Sequence, residues 1–305
     1  MPNRIVVVGS SNTDMIVPAD RLPAPGETVL GGDLVMAPGG KGANQAVAAA
    51  RVGGNVTFVA RIGQDIFGHA ALENLKREGL DTRYVTQDLA APSGVALIVV
   101  GPNGQNLIAV APGANSRLTP TDVQAASSVF RQARAVLLQL ETPLEAVEAA
   151  ARIGRAEGAT IILNPAPAQR LPESLLRLVN ILTPNETEAM QLTGANSPET
   201  AALALLRAGV QTVLVTLGED GVLVAKSVEF IQHMPAFSVH AVDTTAAGDA
   251  FNGGLAAALA RGDDLDAAIR YAQAVAALSV TRMGAQPSLP TAAEVEKLLE
   301  AGING

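Results

Sequence analysis

Short apolar runs alternate along the chain with longer segments whose apolar positions recur at helical spacing. Ile5–Val8 is a β-branched run closed by Gly9, which predicts a buried strand. Met15–Val17 and Glu27–Met36 alternate apolar and polar between Pro and Gly, the pattern of strands in a half-exposed sheet. Ala43–Arg51 reads as a helix ended by Gly53-Gly54, Val56–Ala60 as a core strand, and Ala70–Arg77 as a helix ended by Gly79. Gly94–Val100 and Gln105–Val110 flank a Gly-Pro-Asn-Gly turn and predict a hairpin. Beyond it the periods alternate regularly. Helices are expected at Asp122–Arg131, Pro143–Glu157, Glu173–Leu178, Glu186–Leu192 and Pro198–Ala208. Strands are expected at Ala135–Leu140, Thr160–Leu163, Ile181–Thr183 and Thr212–Thr216. The final third reads as helical, at Gly248–Ala260, Leu265–Val280 and Ala292–Leu299.

This order predicts an α/β fold, with a mostly parallel central sheet flanked by helices on both faces. Residues 1–305 are expected to form one domain, with two excursions, about 11–36 and 93–112, expected to pair into a small sheet. A chain of 305 residues that is 48% hydrophobic can bury a large core. The net charge of −8 disfavours a nucleic-acid partner, which calls for a basic patch. With no cysteine there is no disulfide, thiolate metal site or thiol nucleophile. Met-Pro-Asn-Arg-Ile leads straight into a strand, without the basic and apolar regions of a secretory signal, and no apolar run has the length of a membrane span. A soluble, cytoplasmic protein is expected. His69, His233 and His240 are too scattered for a metal site or a histidine-based triad.

Two Gly-rich segments carry the chemistry. In Asp243-Thr-Thr-Ala-Ala-Gly-Asp249, two carboxylates bracket small residues at the start of an apolar helix. Small residues there let an anion reach unpaired backbone N–H groups, which the helix dipole favours. A carboxylate beside an anion site suits phosphoryl transfer, where it deprotonates the acceptor. By itself the segment is equally a Gly-containing turn with Asp249 as a first-turn acid. Pro38-Gly-Gly-Lys-Gly-Ala-Asn-Gln-Ala46 sets three glycines around a lysine, which is also what a tightly packed helix start needs. Its spacing is not that of a Walker A loop, and Gly9-Ser-Ser-Asn12 lacks the later glycines of a dinucleotide fingerprint.

Together these segments resemble the ribokinase family of sugar and nucleoside kinases, from Ile5 to about Pro290. Val8–Asp14, Pro25–Thr28, Gln139–Pro143, Asn164–Pro167, Thr183–Glu188 and Gly284–Ser288 match further family segments. The resemblance implies ATP-dependent phosphorylation of a pentose primary hydroxyl, with D-ribose to ribose 5-phosphate the first candidate. It implies sugar contacts from Asn12, Asp14, Gly40, Lys41, Asn44 and Glu141. Asp249 would be the general base, with the N–H groups of Ala246, Ala247 and Gly248 as the anion hole. Asn185 and Glu188 would serve the ATP phosphates and their Mg2+. Thr216, Gly218, Gly221, Gly248 and Gln273 would line the nucleotide site, with Gln273 near the adenine. Asp243, Thr245, Ser279, Arg282, Gly284 and Ser288 would enclose K+ through oxygen ligands. The small sheet would act as a lid over the sugar and pair with a second copy's lid in a homodimer.

Three alternatives stand beside this reading. One is a kinase for another sugar, such as 2-deoxyribose or fructose, since one acid at Asp14 does not exclude a deoxy sugar. Another is a non-catalytic sugar-binding protein on the same fold, which would need neither Asp249 nor the anion site. The third, a nicotinamide-dependent oxidoreductase, lacks its glycine fingerprint.

Overall fold

A computed structural model describes residues 3–303. Its thirteen strands are β1 (Arg4–Val8), β2 (Asn12–Pro18), β3 (Val35–Gly39), β4 (Asn55–Gly63), β5 (Asp81–Asp88), β6 (Gly94–Val100), β7 (Asn106–Ala111), β8 (Ala133–Leu138), β9 (Thr160–Leu163), β10 (Ile181–Leu182), β11 (Thr212–Thr216), β12 (Val222–Ser227) and β13 (Phe230–Met234). Nine of them form the main sheet, in the order β13-β12-β11-β10-β9-β8-β1-β4-β5. Every pairing is parallel except β11–β12 and β12–β13.

The continuous apolar run of β1 has a simple cause. Alternate side chains point to opposite faces, and both faces are covered. Ile5 and Val7 join one core with the helices Lys41–Arg51, Ala247–Arg261 and Leu265–Ser279. Val6 and Val8 join the other with Pro120–Ala125, Leu144–Ala156 and Pro198–Arg207. Among the described residues no helix is long and apolar enough to cross a membrane.

The two excursions pair into a second, four-stranded sheet, order β3-β2-β6-β7. β2 runs parallel to β6, and the outer pairs are antiparallel. Asn12 and Asp14 share one face with Val35, Ile108 and Val110, while Met36, Leu97 and Leu107 occupy the other. All six of these apolar side chains are about half exposed.

Several expectations are corrected. The strand expected over Glu27–Met36 is confined to Val35–Gly39; residues 27–34 find no partner strand, and Leu30 is 92% exposed. Gly31 and Gly32 interrupt that stretch. The final third is not all helical, because β12 and β13 form an antiparallel hairpin at the sheet edge. β5 is a polar edge strand whose composition, Asp-Thr-Arg-Tyr-Val-Thr-Gln-Asp, hides it from a hydrophobic pattern. The helix expected over Asp122–Arg131 breaks at Ala126 into two short pieces. The helix expected from Ala70 begins at Ile66, capped by the Asp65 side chain on the Gly68 N–H.

Candidate active site

Two helix starts face each other across the C-terminal edge of the main sheet. The first begins at Lys41, after Gly40 with φ of 88°. A side chain at Gly40 would lie 2.7 Å from the Asn12 nitrogen, so both the backbone angle and the space demand glycine. The second begins at Ala247 after Ala246, whose φ of 59° is left-handed. Such a backbone is strained for alanine and occurs where surroundings over-determine it.

Asp249 lies in the first turn of the second helix and is 6% exposed. The first helix holds it: Asn44 Nδ2 donates to Oδ2 at 3.0 Å and Gln45 Nε2 to Oδ1 at 2.9 Å. Burial pushes the Asp249 pKa above the usual carboxylate range; Lys41, Asn44 and Gln45 oppose this and Glu141 adds to it. Glu141 accepts from Ser10 Oγ at 2.5 Å and from the Lys41 N–H at 3.0 Å. Asp14 stands on β2 beside Gly39, and its carboxylate accepts no hydrogen bond among the described residues. Burial, then the charges of Glu141 and Asp249, raise its pKa to about 6. Burial pulls Lys41 down, but Asp249, Glu141 and Glu188 together raise it. Asn12, Asp14, Gly40, Lys41, Asn44 and Glu141 therefore gather on one side of Asp249, around three acids and one lysine.

Two cavities open on the other side. One, of about 170 Å³, is lined by Lys41, Asn185, Glu188, Ala246, Gly248 and Asp249, among others. The second, of about 720 Å³, is lined by Thr216, Gly218, Gly221, Phe251 and Gln273, among others. They share Thr216, Thr244, Ala247 and Gly248, so the second helix start is their junction. Asn185 and Glu188 form a reciprocal capping box. Burial raises the Glu188 pKa, opposed by the Asn185 N–H and Lys41. Gln273 donates to the Met234 and Pro235 carbonyls, which leaves its buried Oε1 without a protein partner. At the helix start the Ala247 N–H is turned to the Thr244 carbonyl at 3.2 Å. The N–H groups of Ala246, Gly248 and Asp249 find no acceptor among the described residues. The free set thus includes the amide of Asp249 itself.

The residues expected around a cation also meet. Asp243 Oδ1 accepts from the Thr245 N–H and hydroxyl, and Oδ2 from the Gly284 N–H at 2.8 Å. These bonds outweigh burial and lower its pKa. Ser279 and Ser288 are buried, and their hydroxyls donate to the Ala276 and Ala285 carbonyls. The Arg282 guanidinium is paired with Glu294 at 2.5 Å, which leaves only its main chain for this region. Among the described residues no group of three or more His, Cys, Asp or Glu could hold a metal.

Sequence reasoning assigned nothing to Ser10, Gln45 or Asn115. Ser10 and Gln45 lie inside the glycine motifs, adjacent to assigned residues. Asn115 follows β7, yet donates to Asn12 Oδ1 at 2.7 Å and accepts from the Ser11 N–H. No local pattern marks it.

The family model of the pfkB family of carbohydrate kinases matches residues 2–292. The ribokinase of Haemophilus influenzae is 44% identical, over 98% of this chain and 99% of its own. A crystal structure of the ribokinase of Thermotoga maritima superposes with a TM-score of 0.88 at 39% identity, covering 97% of this chain and 99% of its own. A structure of Arabidopsis thaliana ribokinase complexed with ribose and ATP superposes with a TM-score of 0.89 at 34% identity, covering 98% of this chain and 99% of its own. Opposed helix starts around a buried acid, on a sheet shared with these proteins almost end to end, leave one conclusion about descent: the chain belongs to the pfkB family of carbohydrate kinases.

Proposed function

We infer that this chain is an ATP-dependent sugar kinase that converts D-ribose to D-ribose 5-phosphate. The observation that carries the reading is the place of Asp249. It is gripped by the Asn44 and Gln45 amides on the side where acids gather, and it borders free amides and two cavities on the other. A hydroxyl held between Asp249 and a phosphate at the helix start is in line for transfer.

In the proposed mechanism Asp14, Asn12, Asn44, Lys41 and Glu141 bind the sugar hydroxyls beside Gly40. Asp249 accepts the proton of the primary hydroxyl as its oxygen bonds to the γ-phosphorus, while the bond to the β,γ-bridging oxygen breaks and ADP leaves. The free N–H groups of the 246–249 turn stabilise the charge on the phosphoryl group, each such donor contributing ~10²–10³ in rate. The nucleotide lies in the larger cavity over Thr216, Gly218 and Gly221, where the unpartnered Gln273 Oε1 accepts from an adenine amine.

The donor set fits two cations. One carboxylate with an amide oxygen, Glu188 and Asn185, suits Mg2+ that is held mainly by phosphates. Bound there, the ion would neutralise phosphate charge. Asp243 with the main-chain oxygens of Thr245, Ser279, Arg282, Gly284 and Ser288 is a hard, oxygen-only set that suits K+. The exposed apolar surface of the small sheet supports a lid that pairs with a second copy in a homodimer. A chain without cysteine suits a reducing compartment, and we place it in the cytoplasm.

The test is ADP formation from ATP with ribose, 2-deoxyribose, fructose and adenosine in parallel. Ribose is expected to give the highest kcat/KM. Preference for another sugar would move the assignment within the family, and ribose binding without turnover would favour the sugar-binding reading.

A further inference from the structure

Behind the Asp249 carboxylate lies a line of buried amides that the mechanism above does not use. Gln139 Nε2 donates to Gln45 Oε1 at 2.6 Å. Gln45 Nε2 donates to Asp249 Oδ1 at 2.9 Å and to Asn164 Oδ1 at 3.1 Å. Asn164 Nδ2 donates to the Thr183 carbonyl at 2.9 Å. Gln45 and Gln139 are fully buried and Asn164 is 6% exposed. The direction of this line is fixed at its far end, because a main-chain carbonyl can only accept. If Gln45 flipped, its oxygen would face the carboxylate and its NH2 group would face the Gln139 donor. A second branch runs from Thr183 Oγ1 to Asn252 Oδ1 at 2.6 Å, and from Asn252 Nδ2 to the Gly248 carbonyl at 2.8 Å. The network therefore spans from the end of β8 to the start of the helix that carries the free amides.

Its geometry has a cost, which sharpens the point. Gln139 Oε1 is buried without a partner. It sits 2.1 Å from where a side chain at Gly9 would begin, so Gly9 must be glycine for Gln139 to reach Gln45. A buried acceptor without a protein partner is costly.

We propose that Gln45 is a positioning residue for phosphoryl transfer: it fixes the plane of the Asp249 carboxylate and keeps one lone pair aimed at the acceptor hydroxyl, with its own amide oriented by Gln139 and Asn164. This rests on the reading of Asp249 as the base. The strings Gly39–Gln45, Gln139–Pro143, Asn164–Pro167 and Thr183–Glu188, scattered along the sequence, then acquire a shared reason: each supplies one link of the line. Loss of the Gln45 bond also removes stabilisation of the charged carboxylate, whose other charged neighbours are Lys41, Glu141, Asp14 and Glu188. The pH below which turnover falls must then rise.

The test compares Gln45→Leu and Gln139→Met with the wild type, by kcat, both KM values and the kcat–pH profile. Gln45→Leu is expected to lower kcat about ten- to a hundredfold and move the acid limb upward by about one pH unit. Ribose and ATP KM values should stay within about threefold. Gln139→Met removes only the support of Gln45, and should give a smaller change in the same direction. It also keeps the test intact if Gln45→Leu fails to fold. An unmoved acid limb in the folded variants, or a loss confined to KM, would overturn the proposal. Asp249→Asn run in parallel separates the two claims. If it abolishes turnover while the glutamine variants keep the wild-type profile, positioning alone is wrong; if it retains turnover, the base assignment beneath it is wrong.

Discussion

Replacing Asp14 by asparagine is expected to stabilise the sugar-free protein at neutral pH while it weakens ribose binding. The folded Asp14 has a pKa of about 6, against 3.8 for the free side chain, because burial and the charges of Glu141 and Asp249 disfavour its ionised form. Between about pH 4 and 6 the folded protein holds a proton that the unfolded chain has released. The stability that proton contributes is complete below about pH 4 and is lost as pH rises through about 6. A shift of about two units corresponds to about 3 kcal/mol. Asp14 is only half-buried, and solvent screening reduces this to about 1–2 kcal/mol. Asparagine is neutral throughout and nearly isosteric, so it recovers that amount at pH 8 and about half of it at pH 5. For a chain of this length the melting temperature should rise by about 2–4 °C at pH 8. The assay is thermal unfolding without ligand at pH 5 and pH 8, repeated with saturating ribose. Ribose should raise the wild-type melting temperature by mass action, and the variant should lose most of that increment. A variant that melts no higher than wild type at pH 8, or gains equally at both pH values, would refute the electrostatic account.

Further outcomes follow from other parts of the site. Asp249→Asn should cut kcat by about two to four orders of magnitude with little change in ATP affinity by titration calorimetry, since an amide cannot accept the hydroxyl proton. K+ should activate turnover and Na+ should do so poorly. Asp243→Ala should lose roughly tenfold in rate and most of that cation response while its circular dichroism spectrum is unchanged; equal rates without either ion would make Asp243 a structural acid. Sedimentation velocity should give a dimer, with Leu97→Glu or Ile108→Glu, one on each face of the small sheet, shifting it toward monomer. A monomeric wild type at micromolar concentration would remove the dimer proposal.

What the sequence disclosed follows the strength of each local signal. β1, β9 and β11 are buried on both faces and read as unbroken apolar runs, so their positions needed no context. β5 carries polar and charged residues along an edge, and β13 is mostly exposed, so neither stands out by hydrophobicity. The glycines and small side chains at the helix starts drew attention, but each string alone reads equally as a turn or a tightly packed helix start, and only the resemblance across several strings singled their residues out. The support behind them was not legible. Gln45, Gln139, Asn164 and Asn252 are far apart in the chain, and a buried amide looks like any other until its neighbours are known. Asn115 is tied to Asn12 across more than a hundred residues, by a pairing that only the fold creates. The αL backbone at Ala246 was equally hidden, since alanine there breaks the usual preference for glycine.

Asn12 and Asp14 stand on β2, the same strand that carries the small sheet away from the main body. Under the proposed function, the groups that bind the sugar and the cover over it are one inherited unit. On that reading, a substitution at either position that admits a new sugar would also change how the cover seats, so preference and turnover would drift together. Glu141 belongs to the main body and carries no such burden, whereas Asn44, also in the main body, is tied to Asp249. Specificity in a lineage built on this plan would diversify first through Glu141, and through β2 only where compensating changes in β3 or β6 arise with it.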